Sequence, residues 1–319
     1  MIKILANDGI NKAGLQLLEA AGFSVNTTFV PQDQLPSVIV EYDVLLVRSA
    51  TKVTKAVIDA GTNLKLIGRG GVGIDNIDSA YAKEKGIPVV NTPAASSVSV
   101  AELVFAHLLS GARFLNLSNH DLPADPAGKF KDLKNAASKG KELKGKTIGI
   151  LGFGRIGQEV AKIAIGCGMK VMAYDPYYEM VEIPFSFHES YGLNPVVFLV
   201  PMQSKETVLA ESDFISLHVP GGAEPVIGAT EFALMKNGVG LVNCARGGVV
   251  DEKAMTENLK NGKLAFAGVD VFEKEPPVYH DFIGLPNVSV SAHVGASTVE
   301  AQERIGKEIA TIIINHFKN

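Results

Sequence analysis

The sequence predicts an α/β protein with two Rossmann-like domains, and three observations lead to this. Short apolar strand patterns alternate with helical patterns along most of the 319 residues, which is typical of parallel sheets covered by helices. A glycine-rich turn joins one strand pattern to one helix pattern near the middle of the chain. The chain is also long enough for two domains that each bury a core of their own.

The first part of the chain predicts a compact α/β unit. A helix is expected over about 11–20 and a longer one over Val98–Arg113, after which a polar stretch with Pro and Gly leads to a second unit at Gly145. The strand patterns of the first unit are Ile2–Ala6, Asp43–Val47, Leu64–Gly68 and Val89–Asn91.

The glycine-rich turn Gly152–Gly157 follows the strand pattern Thr147–Leu151 and opens the helix pattern Gln158–Ile165. Glycines at these positions permit a tight turn, close approach of the backbone to a pyrophosphate and close helix packing. Asp175 ends the next strand pattern, where a carboxylate can accept hydrogen bonds from ribose hydroxyls but repels a 2′-phosphate. The segment therefore predicts a dinucleotide site that prefers NAD to NADP. From the turn itself we expect Gly152, Gly154, Arg155, Ile156 and Gly157 to contact the cofactor.

Beyond Asp175 the strand patterns Val181–Phe187 and Val196–Val200 predict a two-stranded hairpin. The last helix pattern, about Ser297–His316, is expected to return and pack on the first domain. We therefore predict a discontinuous, flavodoxin-like substrate domain over 1–92 plus 294–319 and a doubly wound NAD-binding domain over 93–293. The later strand patterns of the second domain are Phe214–His218, Gly240–Cys244, Ala267–Asp270 and Val288–Val290.

Three charged residues follow three of these late strands: Arg246, Glu275 and His293. The carboxyl ends of neighbouring parallel strands meet at one edge of a sheet, so these side chains are expected to converge. An arginine fork can hold a carboxylate and polarise the adjacent carbonyl. A histidine can take up or return a hydroxyl proton, and a carboxylate beside it orients the ring and stabilises its charged form. Beside a nicotinamide, this set predicts hydride transfer between NAD and a 2-hydroxy acid.

The sequence resembles the D-isomer-specific 2-hydroxyacid dehydrogenases along nearly its whole length, most strongly in Asn243–Glu252, Asp270–Pro277 and His293–Thr298. The resemblance implies that Arg246, Glu275 and His293 are catalytic and that Asp270 binds the nicotinamide carboxamide. Capping of the following turn is the alternative for Asp270. For His218 an ordinary packed histidine is an equal alternative to a place in the adenine pocket. The cofactor residues expected outside the glycine turn are Asp175, His218, Val219, Pro220, Cys244, Ala245, Asp270, His293, Gly295 and Ala296.

Two further segments, Val47–Thr54 and Ile67–Asp78, resemble the members that oxidise 3-phospho-D-glycerate in L-serine biosynthesis. This resemblance implies that two arginines supply positive charge toward the substrate phosphate and that the backbone around Gly70–Gly73 donates to the substrate carboxylate. A surface or interface ion pair is the alternative for either arginine. The substrate residues expected on this basis are Arg48, Arg69, Gly70, Gly71, Val72 and Arg246.

The chain departs from the family pattern in three places. Asn91–Ser97 has alanines and serines where the family usually carries Gly and Asn, and the hairpin at 181–200 is longer than the usual connection. The chain ends at Asn319 without the regulatory domains of longer members, so no inhibition by serine is expected. The resemblance also implies a homodimer formed through the NAD-binding domains, partly by the Val98–Arg113 helix.

Two other functions stay open. One is a glyoxylate or hydroxypyruvate reductase, or another dehydrogenase, of the same family. The other is an NAD-sensing, corepressor-like interaction protein, against which the complete set of Arg246, Glu275 and His293 argues.

Composition limits the possible partners and the cellular compartment of the protein. A formal net charge of −4 and a sequence pI near 6.0 argue against nucleic-acid binding. No apolar stretch approaches the roughly 20 residues of a membrane span, and the sequence begins with a strand pattern and no secretory signal. Cys167 and Cys244 are far apart and lack metal-ligand spacing, so neither a metal site nor a disulfide is expected. A cytoplasmic enzyme is the expectation.

Overall fold

The computed structural model describes residues 1–277 and 281–318, and it divides into two compact units. Unit 1 comprises Met1–Ser99 and Ala296–Asn319, and unit 2 comprises Val100–Gly295. The domain boundaries predicted from the sequence fall at 92/93 and 293/294.

The described helices are α1 Lys12–Ala20, α2 Leu35–Val38, α3 Lys55–Ala60, α4 Ser79–Glu84, α5 Ser97–Ala112, α6 Leu115–Ala124, α7 Pro126–Ala137, α8 Arg155–Gly166, α9 Lys205–Glu211, α10 Ala229–Leu234, α11 Glu252–Lys260 and α12 Val299–Lys318. The described strands are β1 Lys3–Ala6, β2 Ser24–Asn26, β3 Val44–Val47, β4 Leu66–Arg69, β5 Val89–Asn91, β6 Thr147–Leu151, β7 Lys170–Tyr174, β8 Met180–Phe185, β9 Val196–Pro201, β10 Phe214–Leu217, β11 Val239–Asn243, β12 Leu264–Val269 and β13 Val288–Val290.

Unit 1 contains a five-stranded parallel sheet in the order β2-β1-β3-β4-β5. This is the flavodoxin-like order, as the sequence predicts. Two apolar clusters flank the sheet, one with Leu45 and Ile67 and the other with Leu46 and Leu66. Because both faces are covered, every residue of β3 is buried, which explains its continuous apolar sequence.

The C-terminal helix α12 packs in unit 1, as predicted. It lies against α1, and its apolar side, with Ile309 and Ile313, joins a core cluster of this unit. The two helices touch backbone to backbone, since a Cβ on Gly14 would overlap the carbonyl oxygen of Gly306. Glycine is therefore required at this crossing.

Unit 2 contains a six-stranded parallel sheet in the order β13-β12-β11-β10-β6-β7. This is the doubly wound arrangement, except that the sheet ends at β7 where a further strand is usual. Beside β7, where a third strand would add, the described residues form an isolated parallel bridge between Ala173 and Met202. The predicted hairpin fills this connection, with β8 and β9 antiparallel and Ile183 and Val200 buried in the core.

The segment after α5 was predicted only as a polar stretch with Pro and Gly, without bounds for any helix. It forms the helices α6 and α7. Asp125 caps α7 by accepting a hydrogen bond from the Gly128 N–H at 3.0 Å, and Pro126 occupies the first helical position. The pair Asp-Pro is a helix-start signal that the apolar pattern alone does not reveal.

Within residues 1–277 and 281–318 no single helix has the length and apolar character of a membrane span; α5 and α6 meet that criterion only together, across a 63° bend.

Candidate active site

The glycine-rich turn connects β6 to α8 in unit 2. Gly152 has a φ of 89°, and a Cβ there would press on the backbone carbonyl of His218. A Cβ on Gly157 would overlap the carbonyl oxygen of Gly152. Gly154, in contrast, faces open space at the start of α8. The first and third glycines are thus required by packing, while the second leaves the helix N-terminus accessible to an anion.

Asp175 lies directly after β7 and is hydrogen-bonded to this turn. Its Oδ2 accepts from the Phe153 N–H at 2.8 Å, and its Oδ1 accepts from the Tyr177 N–H at 3.0 Å. The half-buried carboxylate is therefore held beside the turn, with acceptor capacity left for the ribose hydroxyls of a dinucleotide. Arg155 and Ile156 form the first turn of α8.

His218 follows β10 and is neutral in the folded protein. Its Nε2 is hydrogen-bonded to the Ser216 hydroxyl at 2.8 Å, whereas its Nδ1 is buried without a hydrogen-bond partner among the described residues. Burial lowers the pKa of His218 to about 3. The next strand end carries Cys244, whose thiol pKa is raised by burial and by the nearby Asp270, so this thiol is not a nucleophile at neutral pH.

The buried imidazole makes stability depend on pH. The ordinary pKa of a histidine is about 6.5. Below that pH the unfolded chain binds a proton on His218, whereas the folded protein, in which the pKa of His218 is about 3, does not. The free energy of unfolding therefore falls as pH drops through this window. We expect His218→Gln to flatten the fall in Tm between pH 7 and pH 5, measured by thermal unfolding. His188→Gln, in the exposed hairpin turn, is the control, and an unchanged slope in His218→Gln would contradict this account.

Arg246 is placed by a turn after β11. Asn243 closes this turn, because its Oδ1 accepts from the Ala245 N–H and its Nδ2 donates to the Arg246 carbonyl, both at 3.0 Å. Arg246 Nη1 donates to the Ala245 carbonyl at 2.7 Å. A Cβ on Gly247 would overlap the Phe272 carbonyl oxygen, so the turn lies directly against the segment that leads to Glu275.

Glu275 and His293 form a contact pair. Glu275 Oε2 lies 2.7 Å from His293 Nδ1, and Oε1 accepts from the Phe272 N–H at 3.2 Å. The side chains are 45% exposed for His293 and 37% for Glu275, so the ring is accessible to a substrate. A carboxylate can only accept, so Nδ1 carries a proton and Nε2 of the neutral ring has the free lone pair.

Asp270 holds the turn that carries His293. Its carboxylate is 1% exposed and accepts from the Ser291 hydroxyl at 2.5 Å, the Val294 N–H at 2.8 Å and the Gly295 N–H at 3.0 Å. Its carbonyl accepts from the His293 N–H at 2.8 Å. His293 has a φ of 52°, a left-handed conformation that costs free energy in a residue other than glycine. A carboxylate has about four acceptor sites, which leaves one for the carboxamide that the resemblance implies.

We expect Glu275→Gln to lower kcat about tenfold, because a neutral amide stabilises the protonated His293 ring less than a carboxylate does. The measurement is steady-state turnover of a 2-oxo acid with NADH, together with the affinity for NADH, which should not change. The neighbouring acid gives a matched control: the Glu273 N–H donates to Glu252 Oε1 at 2.8 Å, and Glu273→Gln should turn over normally. Equal effects of the two substitutions would remove Glu275 from this role.

Unit 1 carries the expected substrate arginines at the carboxyl edge of its sheet. Arg69 ends β4, and Arg48 follows the neighbouring strand β3. The stem of Arg48 lies over Gly70, where a Cβ would be 3.6 Å from Arg48 Cγ. The Arg69 guanidinium occupies the place of a Cβ on Gly71, whose φ is 151°. Arg48 therefore packs on Gly70 and Arg69 packs on the adjacent Gly71, which Val72 follows directly.

The turn that starts at Arg48 is fixed by residues that the sequence reasoning missed. Asp8 Oδ2 accepts from the Arg48 N–H at 2.6 Å and from the Thr51 N–H at 3.1 Å. Asn76 Nδ2 donates to the carbonyls of Arg48 and Thr51 at 2.8 and 2.7 Å. Asp8 lies two residues after the end of β1, at the binding edge of the sheet, and this position could have marked it as a candidate site residue. Among residues 1–277 and 281–318, no group of His, Cys, Asp and Glu is arranged to hold a metal ion.

The family profile described as the NAD-binding domain of D-isomer specific 2-hydroxyacid dehydrogenases matches residues 105–295, well over half of the chain. The chain belongs to this family. A hydroxypyruvate reductase of Thermotoga maritima is 45% identical to this dehydrogenase, over 99% of this chain and 98% of its own length. A D-3-phosphoglycerate dehydrogenase of Methanocaldococcus jannaschii is 44% identical over 97% of this chain and 56% of its own length. This dehydrogenase thus spans a little over half of that longer relative.

Solved structures show the same fold. A NAD+-bound 3-phosphoglycerate dehydrogenase of Entamoeba histolytica has a TM-score of 0.78 and 26% identity, over 100% of this dehydrogenase and 96% of that chain. A D-lactate dehydrogenase of Aquifex aeolicus, complexed with NAD and lactic acid, has a TM-score of 0.74 and 28% identity, over 100% and 96% of the two chains. The expected family, fold and cofactor are confirmed.

The residues of this dehydrogenase fit its cofactor, NAD. The open position at Gly154 and the start of α8 suit a pyrophosphate. The Asp175 carboxylate, bonded to the same turn, suits the ribose hydroxyls and disfavours a 2′-phosphate. The enzyme is an NAD-dependent oxidoreductase.

Proposed function

We propose that this enzyme oxidises 3-phospho-D-glycerate to 3-phosphohydroxypyruvate, the reaction of D-3-phosphoglycerate dehydrogenase at the start of L-serine biosynthesis. The observation that carries the proposal is the pair Arg48 and Arg69 on the two glycines Gly70 and Gly71. A phosphate with two negative charges needs cationic compensation, which an unphosphorylated 2-hydroxy acid does not. The similarity to the Methanocaldococcus enzyme supports the same substrate.

In this proposal each group of unit 2 has one task. Arg246 holds the substrate carboxylate and polarises the bond at C2. His293 Nε2 takes the C2 hydroxyl proton, which contributes roughly 10²–10⁴-fold to the rate. Glu275 keeps the ring in place through the 2.7 Å contact to Nδ1 and stabilises the imidazolium that forms. NAD, when bound, supplies the hydride acceptor.

The second candidate is a hydroxypyruvate reductase, favoured by the 45% identity to the Thermotoga protein over nearly the full length of both chains. The same three residues would then act in the direction of reduction, with His293 donating the proton. Apart from the direction of the reaction, the two candidates differ in the use made of Arg48 and Arg69.

Neutral variants of the two arginines separate these candidates. We expect Arg48→Gln and Arg69→Gln to lower kcat/KM for 3-phosphohydroxypyruvate about 10- to 100-fold, since each removes a charged hydrogen-bond donor. The value for hydroxypyruvate should change less than about threefold. Lys65→Gln is the control, because Lys65 directly precedes β4 at the opposite edge of the same sheet. Equal losses with both substrates would reject the phosphate site.

We also propose a homodimer that uses α5 and the helix after it. Leu109 and Leu115 are 43% and 50% exposed on these helices, which favours burial against a partner. Light scattering of the purified protein tests this, and a monomer at micromolar concentration would reject it.

A further inference from the structure

A histidine outside the catalytic set is built into the core of unit 2. His107 lies on α5 and is 4% exposed. Space for its ring comes from Gly268 on β12, where a Cβ would lie 2.5 Å from His107 Cβ. Both ring nitrogens are satisfied, since Nδ1 is 2.9 Å from the Ser289 hydroxyl and Nε2 is 2.9 Å from the Ser291 hydroxyl.

The proton positions in this cluster follow from its chemistry. The Ser291 hydroxyl has one hydrogen, which it donates to Asp270 Oδ1 at 2.5 Å, so its oxygen accepts from His107 Nε2–H. Burial lowers the pKa of His107, against a smaller opposite effect of Asp270, so the ring is neutral. Its Nδ1 then accepts from the Ser289 hydroxyl. The result is a chain of donors in one direction, from Ser289 through His107 and Ser291 to the Asp270 carboxylate, and such chains strengthen cooperatively.

The carboxylate at the end of this chain is the one that holds the His293 turn. Asp270 accepts from the Val294 and Gly295 N–H groups at 2.8 and 3.0 Å. His293 itself sits at a φ of 52°, and a strained residue keeps its conformation only when its surroundings fix it. A shift of the carboxylate would therefore be felt directly at the His293 ring.

We propose that His107 is a positioning residue for the reaction: through Ser291 it fixes the Asp270 carboxylate and thereby the turn that carries His293. This inference rests on the proposed role of His293. It gives a function to a buried histidine on α5 whose hydrogen bonds go to Ser289 and Ser291.

Substitutions in this series of hydrogen bonds test whether His107 and Ser291 support the His293 turn. His107→Leu and Ser291→Ala should each lower kcat about tenfold, because each removes support from a charged acceptor, while KM and the NADH dissociation constant stay within about twofold. Their double mutant should be no worse than either single change, since both break the same link. Ser289→Ala, which removes the hydroxyl on the far side of the same ring, should change kcat less than about threefold. His107→Gln, whose amide can still donate to Ser291, should recover part of the loss.

A second readout does not depend on turnover. In folded His107→Leu and Ser291→Ala, the amides of Val294 and Gly295 should exchange with solvent about tenfold faster than in the wild type, and in Ser289→Ala they should not. Nitrogen NMR of the wild type should show His107 as the Nε2–H tautomer. Unchanged exchange at these amides in both variants, or equal effects of Ser289→Ala and Ser291→Ala, would overturn the proposal. If the wild type reduces no 2-oxo acid, the proposed function fails, and the exchange data still decide whether His107 positions the turn.

Discussion

Replacing His293 with asparagine is expected to lower kcat about 10²–10⁴-fold, the usual contribution of a positioned proton-transfer group. Asparagine is the informative replacement because it tolerates the left-handed backbone that His293 adopts at a φ of 52°. The turn held by Asp270 should therefore persist, and the loss should report the missing imidazole. The measurement is steady-state reduction of a 2-oxo acid with NADH.

Two controls accompany this variant. NADH binding, followed by fluorescence titration, should stay within about twofold, and Tm should stay close to that of the wild type. A His293→Asn enzyme that retains turnover within a factor of three would place the proton-transfer group elsewhere. A large loss of NADH affinity would instead mean that the turn itself had moved.

Arg246→Lys is expected to lose at least about 99% of kcat/KM for any 2-oxo acid. The planar guanidinium can hold a carboxylate with two parallel hydrogen bonds, and a single ammonium cannot reproduce that grip. The turn around Arg246 is closed by Asn243 through the backbone, so the substitution should leave the turn intact. The readout is kcat/KM with a matched measurement of NADH affinity.

Arg113→Lys provides the same chemical change on an exposed residue after α5, and it should leave kcat/KM unchanged. Near-normal turnover by Arg246→Lys would show that charge alone suffices there and would refute the bidentate assignment. Equal losses in Arg113→Lys would indicate a nonspecific effect on folding.

Much of the fold follows from local patterns. Strands buried on both faces are continuous apolar runs, as in Val44–Val47, where all four residues are buried. The glycine turn and the hairpin have their own local signatures, and both form where the sequence predicts them. The first miss was β2, a three-residue strand with no fully buried position, which gives no periodic signal. The second was the pair α6 and α7, of which α7 begins with capping by Asp125.

The candidate site also has residues that the sequence predicts and residues that only the structure reveals. Arg246, Glu275 and His293 follow strand ends, so the sequence alone predicts that they share an edge. The residues that fix them are found only in three dimensions. His107 and Ser289 are separated by 182 positions in the chain, and no local pattern relates them. Asp270 was expected to bind the cofactor, with capping of the following turn as the alternative, and the structure shows that its carboxylate holds the His293 turn.

The measurement that tests the account most directly is NADH consumption with 3-phosphohydroxypyruvate and hydroxypyruvate at matched concentrations. A site built to pair with a charged group should discriminate strongly against an analogue that lacks it. We therefore predict a kcat/KM at least about 100-fold higher for the phosphorylated acid. Equal or faster reduction of hydroxypyruvate would contradict the phosphate site at Arg48 and Arg69 and would favour the hydroxypyruvate reductase.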